Sequence, residues 1–351
     1  MSVPELPGVL SAGDLAATVD FIATIQDRSG GIPWFAGGHL DPWDHIEAAM
    51  ALDAGARHGP ARAAYRWLRA RQRPDGSWVS RYEDDAEAAD YAETHHAAYL
   101  ATGLWQHWLM TGDREFLAEL WPVVRRAMAF VVAQQAESGA VWWAVGAGGE
   151  PDRTALLTGC ASIFQSLRCA IGIAELLERP QPDWDLALAR LGHTLRRHPE
   201  AFAAKDRFSM DWYYPVLAGA VRGAAAAERL AERWADFVEA GRGVRCVADR
   251  GWVTGAETCE LALALATAGR DAEAAAVVAS MQHLRHDDGG YWTGLVLDDG
   301  LHWPVERTTW TAAAVVLAAV TITGDPRSQL FRGAGLPTEP EIDCGVDLVC
   351  G

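Results

Sequence analysis

Four carboxylates define the chemistry this chain could perform. Glu93, Asp211, Glu257 and Glu306 each stand where an apolar, small-residue-rich stretch begins. The openings are Ala92-Glu93-Thr94-His95-His96, Ser209-Met210-Asp211-Trp212-Tyr213-Tyr214, Thr254-Gly255-Ala256-Glu257-Thr258-Cys259 and Pro304-Val305-Glu306-Arg307-Thr308-Thr309-Trp310. Asp41-Pro42-Trp43-Asp44-His45 and Gly159-Cys160-Ala161-Ser162 open two further stretches of the same kind. Carboxyl groups on opposite sides of one cavity can cut a glycosidic bond. One, protonated, gives its proton to the leaving oxygen, and the other serves as base or nucleophile on the opposite face. In a ring of six such stretches the first lies across from the fourth and the second from the fifth. Asp44 is therefore expected to face Asp211, Glu93 to face Glu257, and Glu306 to face the region 162–165. A first-turn acid also complements a helix dipole, so capping is the competing role for each.

Aromatic residues gather at the same openings and in the loops before them. Of the 16 tryptophans, Trp34, Trp43, Trp142, Trp212, Trp252, Trp292 and Trp303, together with Tyr213, fall at or beside this rim. Such walls suit sugar rings stacking through their C–H faces, or a carbocation held by π faces. With Asp44, Asp287 and Arg307 among them, these residues are the expected substrate contacts, and Asp211, Asp287 and Glu306 next to Trp212, Trp292 and Trp303 predict a wet, polar funnel. His95 and His96 point about 100 degrees apart on a helix, and no His pair stands at the i, i+4 spacing that helical zinc sites use. They are read as polar contacts to substrate, with no metal and no cofactor expected.

The elements that must position these residues alternate along the chain. Segments near 14–26, 61–72, 116–135, 183–197, 225–239 and 271–283 carry Arg, Asp and Glu on one face. Between them run stretches such as 261–268 and 312–320, apolar nearly all round, which is the pattern of a helix buried on every side. Twelve helices alternating outer and inner predict an all-α fold, an (α/α)6 barrel over about 14–323, within a single domain of residues 1–330 and an irregular tail at 331–351. Links from inner to outer helices are brief, as in His58-Gly59-Pro60 and Thr111-Gly112-Asp113, whereas links from outer to inner are long, as in 74–90 and 137–155. Long loops over one rim of a rigid scaffold are where binding groups collect. All six inner helices would turn their N-termini to that rim.

A second signature ends the outer helices. Gln26 is followed by Gly30, Gly31 and Trp34, Gln72 by Gly76 and Trp78, Gln134 by Gly139 and Trp142, and Gln282 by Gly289, Gly290 and Trp292. The Gln is expected to bond the last helical carbonyls, the Gly to supply a left-handed turn and the Trp to pack the return. This spacing resembles the QW repeat of squalene cyclases and of the terpenoid cyclase and protein prenyltransferase toroid, and the helix count equally resembles the six-hairpin glycosidases. The resemblance implies the toroid, which hosts several reaction classes. Cyclases of this kind donate a proton from an Asp-x-Asp-Asp motif, which this sequence lacks. Prenyltransferases bind zinc through Asp-x-Cys and a His on the next inner helix; Glu257-Thr258-Cys259 has no such partner, since Thr308-Thr309-Trp310 stands there. The expected activity is a carbohydrate-active enzyme, foremost a glycoside hydrolase. The alternatives are an isoprenoid cyclase or transferase, a sugar epimerase, and a toroid kept as a binding module.

Composition narrows the partners. With 47 acidic against 30 basic residues in 351 and a formal net charge of -17, and no basic stripe, neither nucleic acid nor an anionic membrane surface suits the chain. Its start carries Glu5 and Asp14 with no basic segment, and apolar runs such as 311–323 fall short of a membrane span. A cytoplasmic enzyme acting on a small molecule or oligosaccharide is the expectation. Cys160, Cys169, Cys246 and Cys259 read as small core residues, and Cys344 and Cys350 fall in the tail.

Overall fold

The computed structural model describes residues 4–325 and 329–339. Among them thirteen α-helices follow in the order α1 (Ala12–Ile25), α2 (Pro42–Ala54), α3 (His58–Arg71), α4 (Thr94–Thr111), α5 (Arg114–Val132), α6 (Leu157–Leu176), α7 (Pro182–Arg197), α8 (Ser209–Leu217), α9 (Gly223–Glu232), α10 (Trp234–Phe237), α11 (Gly255–Thr267), α12 (Asp271–Ser280) and α13 (Thr309–Ile322). Helices α2, α4, α6, α8, α11 and α13 each touch the next, and α13 returns to α2, closing an inner ring. Outside it stand α1, α3, α5, α7, α9 and α12. The apolar patterning explains the division: every residue of α2 is buried, whereas α3 buries only Ala61, Ala64, Tyr65, Trp67 and Leu68 and leaves Arg66 and Arg69 exposed. By length and composition α6 is apolar enough to cross a membrane; here it is a buried member of the inner ring.

The Gln–Gly turns join neighbouring outer helices. Gln26 Nε2 donates to Gly30 O in its own turn and to Pro60 O of α3, both at 3.0 Å. Gln72 bridges Gly76 O and Val123 O of α5 in the same way, at 3.0 and 2.9 Å. In the third copy it is Gln135, not Gln134, that bridges Gly139 O and Ala187 O of α7, at 2.9 Å each. The bonds thus run across to the next outer helix, whereas the sequence predicts them on the helix's own last carbonyls. Gln282 departs from this pattern, donating back to Val278 O at 2.9 Å. Gly30, Gly76, Gly139 and Gly289 all have φ between 87° and 99°. A Cβ there would strike the backbone of Ala63, Arg126, Arg190 and Ala17 respectively, so each turn nests against the following outer helix and the last nests on α1.

The helical toroid carries small antiparallel sheets that an all-α reading does not include. Residues 82–83 pair with 86–87; 91–93, 142–146 and 151–155 form three strands; 238–239, 243–245, 252–254 and 294–296 form four. All belong to the long connections, where they fix the loops that enclose the rim. The outer segment expected over 225–239 divides into α9, the single turn α10 and a strand. Residues 329–339, placed by sequence mostly in a tail, pack on the ring: Leu330 and Phe331 are buried, Thr267 Oγ1 donates to Phe331 O at 3.0 Å, and Arg168 donates to Pro337 O at 3.1 and 3.2 Å. Cys160, Cys169 and Cys259 are buried free thiols and Cys246 is half-buried; Cys344 and Cys350 lie outside the described residues.

Candidate active site

The N-terminus of α2 sets the floor of the site. Pro42 pre-sets the first helical turn, and Asp41 caps it by accepting the Asp44 N–H at 2.9 Å. The other Asp41 oxygen accepts Trp34 Nε1 at 2.6 Å. The Asp44 side chain, one turn in, takes no part in the cap and is buried. Burial above all, then the charges of Asp41 and Glu47 and a hydrogen bond with Asp41, lift its carboxyl well above the usual carboxylate range. This environment favours its protonated form. Trp43 stacks on Tyr99 at 4.7 Å and 15° and donates Nε1 to Glu47 at 3.2 Å.

These residues line a cavity of ≈ 510 Å³ at the rim. Asp41, Trp43 and Asp44 contribute from the start of α2, Glu93, His95 and His96 from that of α4, Thr158 and Gly159 from α6, Lys205 and Phe208 from the approach to α8, Asp211 from its first turn, and Trp310 from α13. The ring order puts α2 directly across from α8, so Asp44 and Asp211 enter from opposite walls, as the ring geometry predicts. Asp211 is held by Thr158, whose Oγ1 donates at 2.6 Å and whose N–H donates at 3.3 Å. Burial raises the Asp211 carboxyl, and these bonds with nearby Arg229 oppose the rise without reversing it. One wall therefore carries a deeply buried carboxyl without a donor of this kind, and the other a carboxyl that accepts two hydrogen bonds from Thr158.

Glu93 occupies the N-cap position of α4 and makes no capping hydrogen bond. Its Oε2 lies 3.3 Å from His95 Nε2 and 3.8 Å from His96 Nε2. Burial, with Asp41 nearby, pushes Glu93 up to about 8, and burial drives His95 well below its ordinary value and His96 down to about 3. All three are neutral at pH 7 and can exchange hydrogen bonds with sugar hydroxyls. Their ligating atoms lie within 4.8 Å of one another, a spacing that could also hold a metal ion.

The remaining expected site residues stand elsewhere. Glu257 is buried in the first turn of α11 and Glu306 is partly exposed before α13; neither lines the cavity. Glu93 does enter the cavity, but across from an α11 that contributes no lining residue. Tyr213 is buried, its hydroxyl donating to Glu260. Trp212 donates Nε1 to Arg229 O at 2.7 Å and stacks on Phe237, so it packs α8 against α9 and α10. Trp142 lies on a rim strand under Arg153. Trp252 and Trp303 pack edge to face, with Trp303 56% exposed, and Trp292 stacks on His302. Arg307 is engaged by Asp288 and His286, and Asp287 is exposed. His45, buried, faces α3: its Nδ1 accepts Ile32 N–H at 3.1 Å and its Nε2 meets Ala64 O at 3.0 Å. Sequence reasoning leaves out of the site Asp41, Tyr91, Lys205, Phe208 and Met210. Lys205 has a signal in the sequence: it is the chain's single lysine.

The open, mixed wall of carboxyls and aromatics suits a hydrated sugar and not a cation that must be kept dry. Comparison with known proteins agrees. The chain is 52% identical over 346 residues to the MMP endo-(1,4)-3-O-methyl-α-D-mannosidase of Mycolicibacterium hassiacum, covering 98% of this chain and 96% of that protein. Among solved structures it superposes on a glycosidase variant in complex with glucose at a TM-score of 0.69, with 17% identity and 90% and 99% of the two chains covered. It also superposes on the GH63 mannosylglycerate hydrolase of Thermus thermophilus at 0.66, with 15% identity over 86% and 99%, and on a D-mannose isomerase at 0.67, with 8% identity over 89% and 96%. At these identities the structures speak for the fold alone. No protein-family model matches the chain.

Proposed function

We propose a specific reaction for this chain, which belongs to the glycoside hydrolase family of the Mycolicibacterium hassiacum endo-mannosidase: internal cleavage of α-(1,4) bonds in chains of 3-O-methylmannose. The observation that carries the mechanism is the opposition of Asp44 and Asp211 across one cavity: burial lifts Asp44 well above the usual carboxylate range, whereas at Asp211 hydrogen bonds from Thr158 oppose the rise that burial causes. Asp44 gives its proton to the glycosidic oxygen as the bond from the anomeric carbon breaks. Asp211, held by Thr158, attacks or activates water on the other face. Trp43 supplies a rigid flat wall, fixed by Tyr99 and Glu47. Neutral Glu93, His95 and His96 address hydroxyls, and Trp34, Leu156, Phe208, Met210 and Trp310 offer apolar surface for methyl ethers.

The test is product analysis. Incubation with 3-O-methylated α-(1,4)-mannan should yield oligosaccharides of intermediate length, with unmethylated mannan and α-glucan of equal length cut more slowly. Release of monosaccharide alone, or equal rates on glucan, contradicts the reading.

A further inference from the structure

Beside the catalytic cavity lies a second one of ≈ 390 Å³. It is bounded by the connection from α7 to α8, with Pro199, Phe202 and Ala204, and by Arg229, Glu232 and Arg233 of α9 and its end. The two cavities share Lys205 and Asp211. The second therefore adjoins the first at these two residues and extends to the outer helix α9.

Lys205 stands at the junction. It is the sole lysine beside 29 arginines, and it is exposed, with its ammonium 5.9 Å over the Phe208 ring. Every arginine nearby is engaged: Arg229 donates to Trp212 O and Asp211 O, Arg233 to Asp236 and Asp206 O, and Arg207 to Asp249. These bonds make a fixed wall, and Lys205 is left as the donor that can turn to an incoming hydroxyl.

We propose that this second cavity is the subsite for the part of the glycan chain beyond the scissile bond, with Lys205 bridging the sugar residues on the two sides. The proposal rests on the endo-mannosidase reading, because an enzyme cutting inside a chain needs room for sugar on both sides of its acid and base. A cavity that shares Asp211 and Lys205 with the first offers that room on the side away from Asp44. Phe202 gives the sugar an apolar face, and Lys205 with Glu232 gives polar partners for its hydroxyls.

The single lysine makes the test direct. An amine-selective acylating reagent labels Lys205 and the N-terminal amine, which peptide mapping separates. A 3-O-methylmannan oligosaccharide should slow Lys205 labelling at least about tenfold while leaving the N-terminal amine unchanged, and free 3-O-methylmannose should protect far less. In parallel, Ala204→Trp, a bulky side chain at an exposed position of the second cavity, should lower kcat/KM for the oligosaccharide at least about tenfold more than for an aryl α-mannoside. Equal losses on both substrates, or labelling that ignores the oligosaccharide, overturn the subsite. Wild-type protein that is protected but cleaves neither substrate overturns the mannosidase reading alone, and protein neither protected nor active overturns both.

Discussion

Replacing Glu93 with glutamine isolates the cost of keeping a carboxyl in a buried position. Burial raises Glu93 to about 8 from an ordinary 4.5. Between those values the folded protein holds a proton that the unfolded chain has released. Stability from this group is therefore complete below about 4.5 and is lost as pH rises through the window to about 8. Each pH unit of such a window corresponds to about 1.4 kcal/mol, so the ceiling is about 5 kcal/mol. Water reaching a side chain that is 15% exposed lowers it. Glutamine has nearly the shape of the protonated acid and does not titrate. Asp44, Glu47 and Glu260, also raised by burial, titrate in both proteins and largely cancel in the difference. Denaturant unfolding of wild type and Glu93→Gln across this pH range should show the variant gaining several kcal/mol on the wild type toward the alkaline end. Parallel curves would mean that Glu93 is ionised and solvated, and would remove it as a neutral contact.

Gln72→Ala removes the Nε2 bond to Gly76 O in the turn and the two bonds that tie that turn to α5, from Nε2 to Val123 O and from Arg126 Nε to Oε1. It should cost about 1–3 kcal/mol, read as a lower Tm with activity retained; an unchanged Tm contradicts the staple. Gly76→Ala should cost more, because φ of 96° and the carbonyl of Arg126 leave no place for a methyl group. Protein purified without added zinc should hold well under one equivalent, and chelator should leave turnover unchanged; stoichiometric zinc lost together with activity would make Glu93, His95 and His96 ligands.

The toroid is legible in this sequence because its signals are redundant. Six all-round apolar stretches and the repeated Gln–Gly turn agree, so mistaking Gln134 for Gln135 costs nothing at the level of the fold. The rim sheets are not legible, since strands of two to five residues leave almost no period. Asp44, Glu93 and Asp211 can be located because a helix start fixes where its side chains point. Glu257 and Glu306 show where that reasoning stops: neither lines the cavity, to which α11 contributes no residue, and no pattern within one chain reports which inner helices do. Aromatic residues are the least informative. Trp43 and Trp34 enter the cavity, whereas Trp212, Trp252, Trp292 and Trp303 pack against neighbours, because the same large apolar ring serves either purpose.

Protonation of the leaving oxygen by Asp44 is tested most directly by comparing Asp44→Asn and Asp211→Asn on two substrates: a 3-O-methylmannan oligosaccharide, whose alkoxide leaving group needs a proton, and a dinitrophenyl α-mannoside, whose phenolate does not. Asp44→Asn should lose about 10²–10⁴-fold on the oligosaccharide and recover most of that loss on the activated substrate, while Asp211→Asn should fail on both. Equal losses for Asp44→Asn on the two substrates, or full turnover by Asp211→Asn, would contradict the opposed acid and base and move the search to Glu257 on α11.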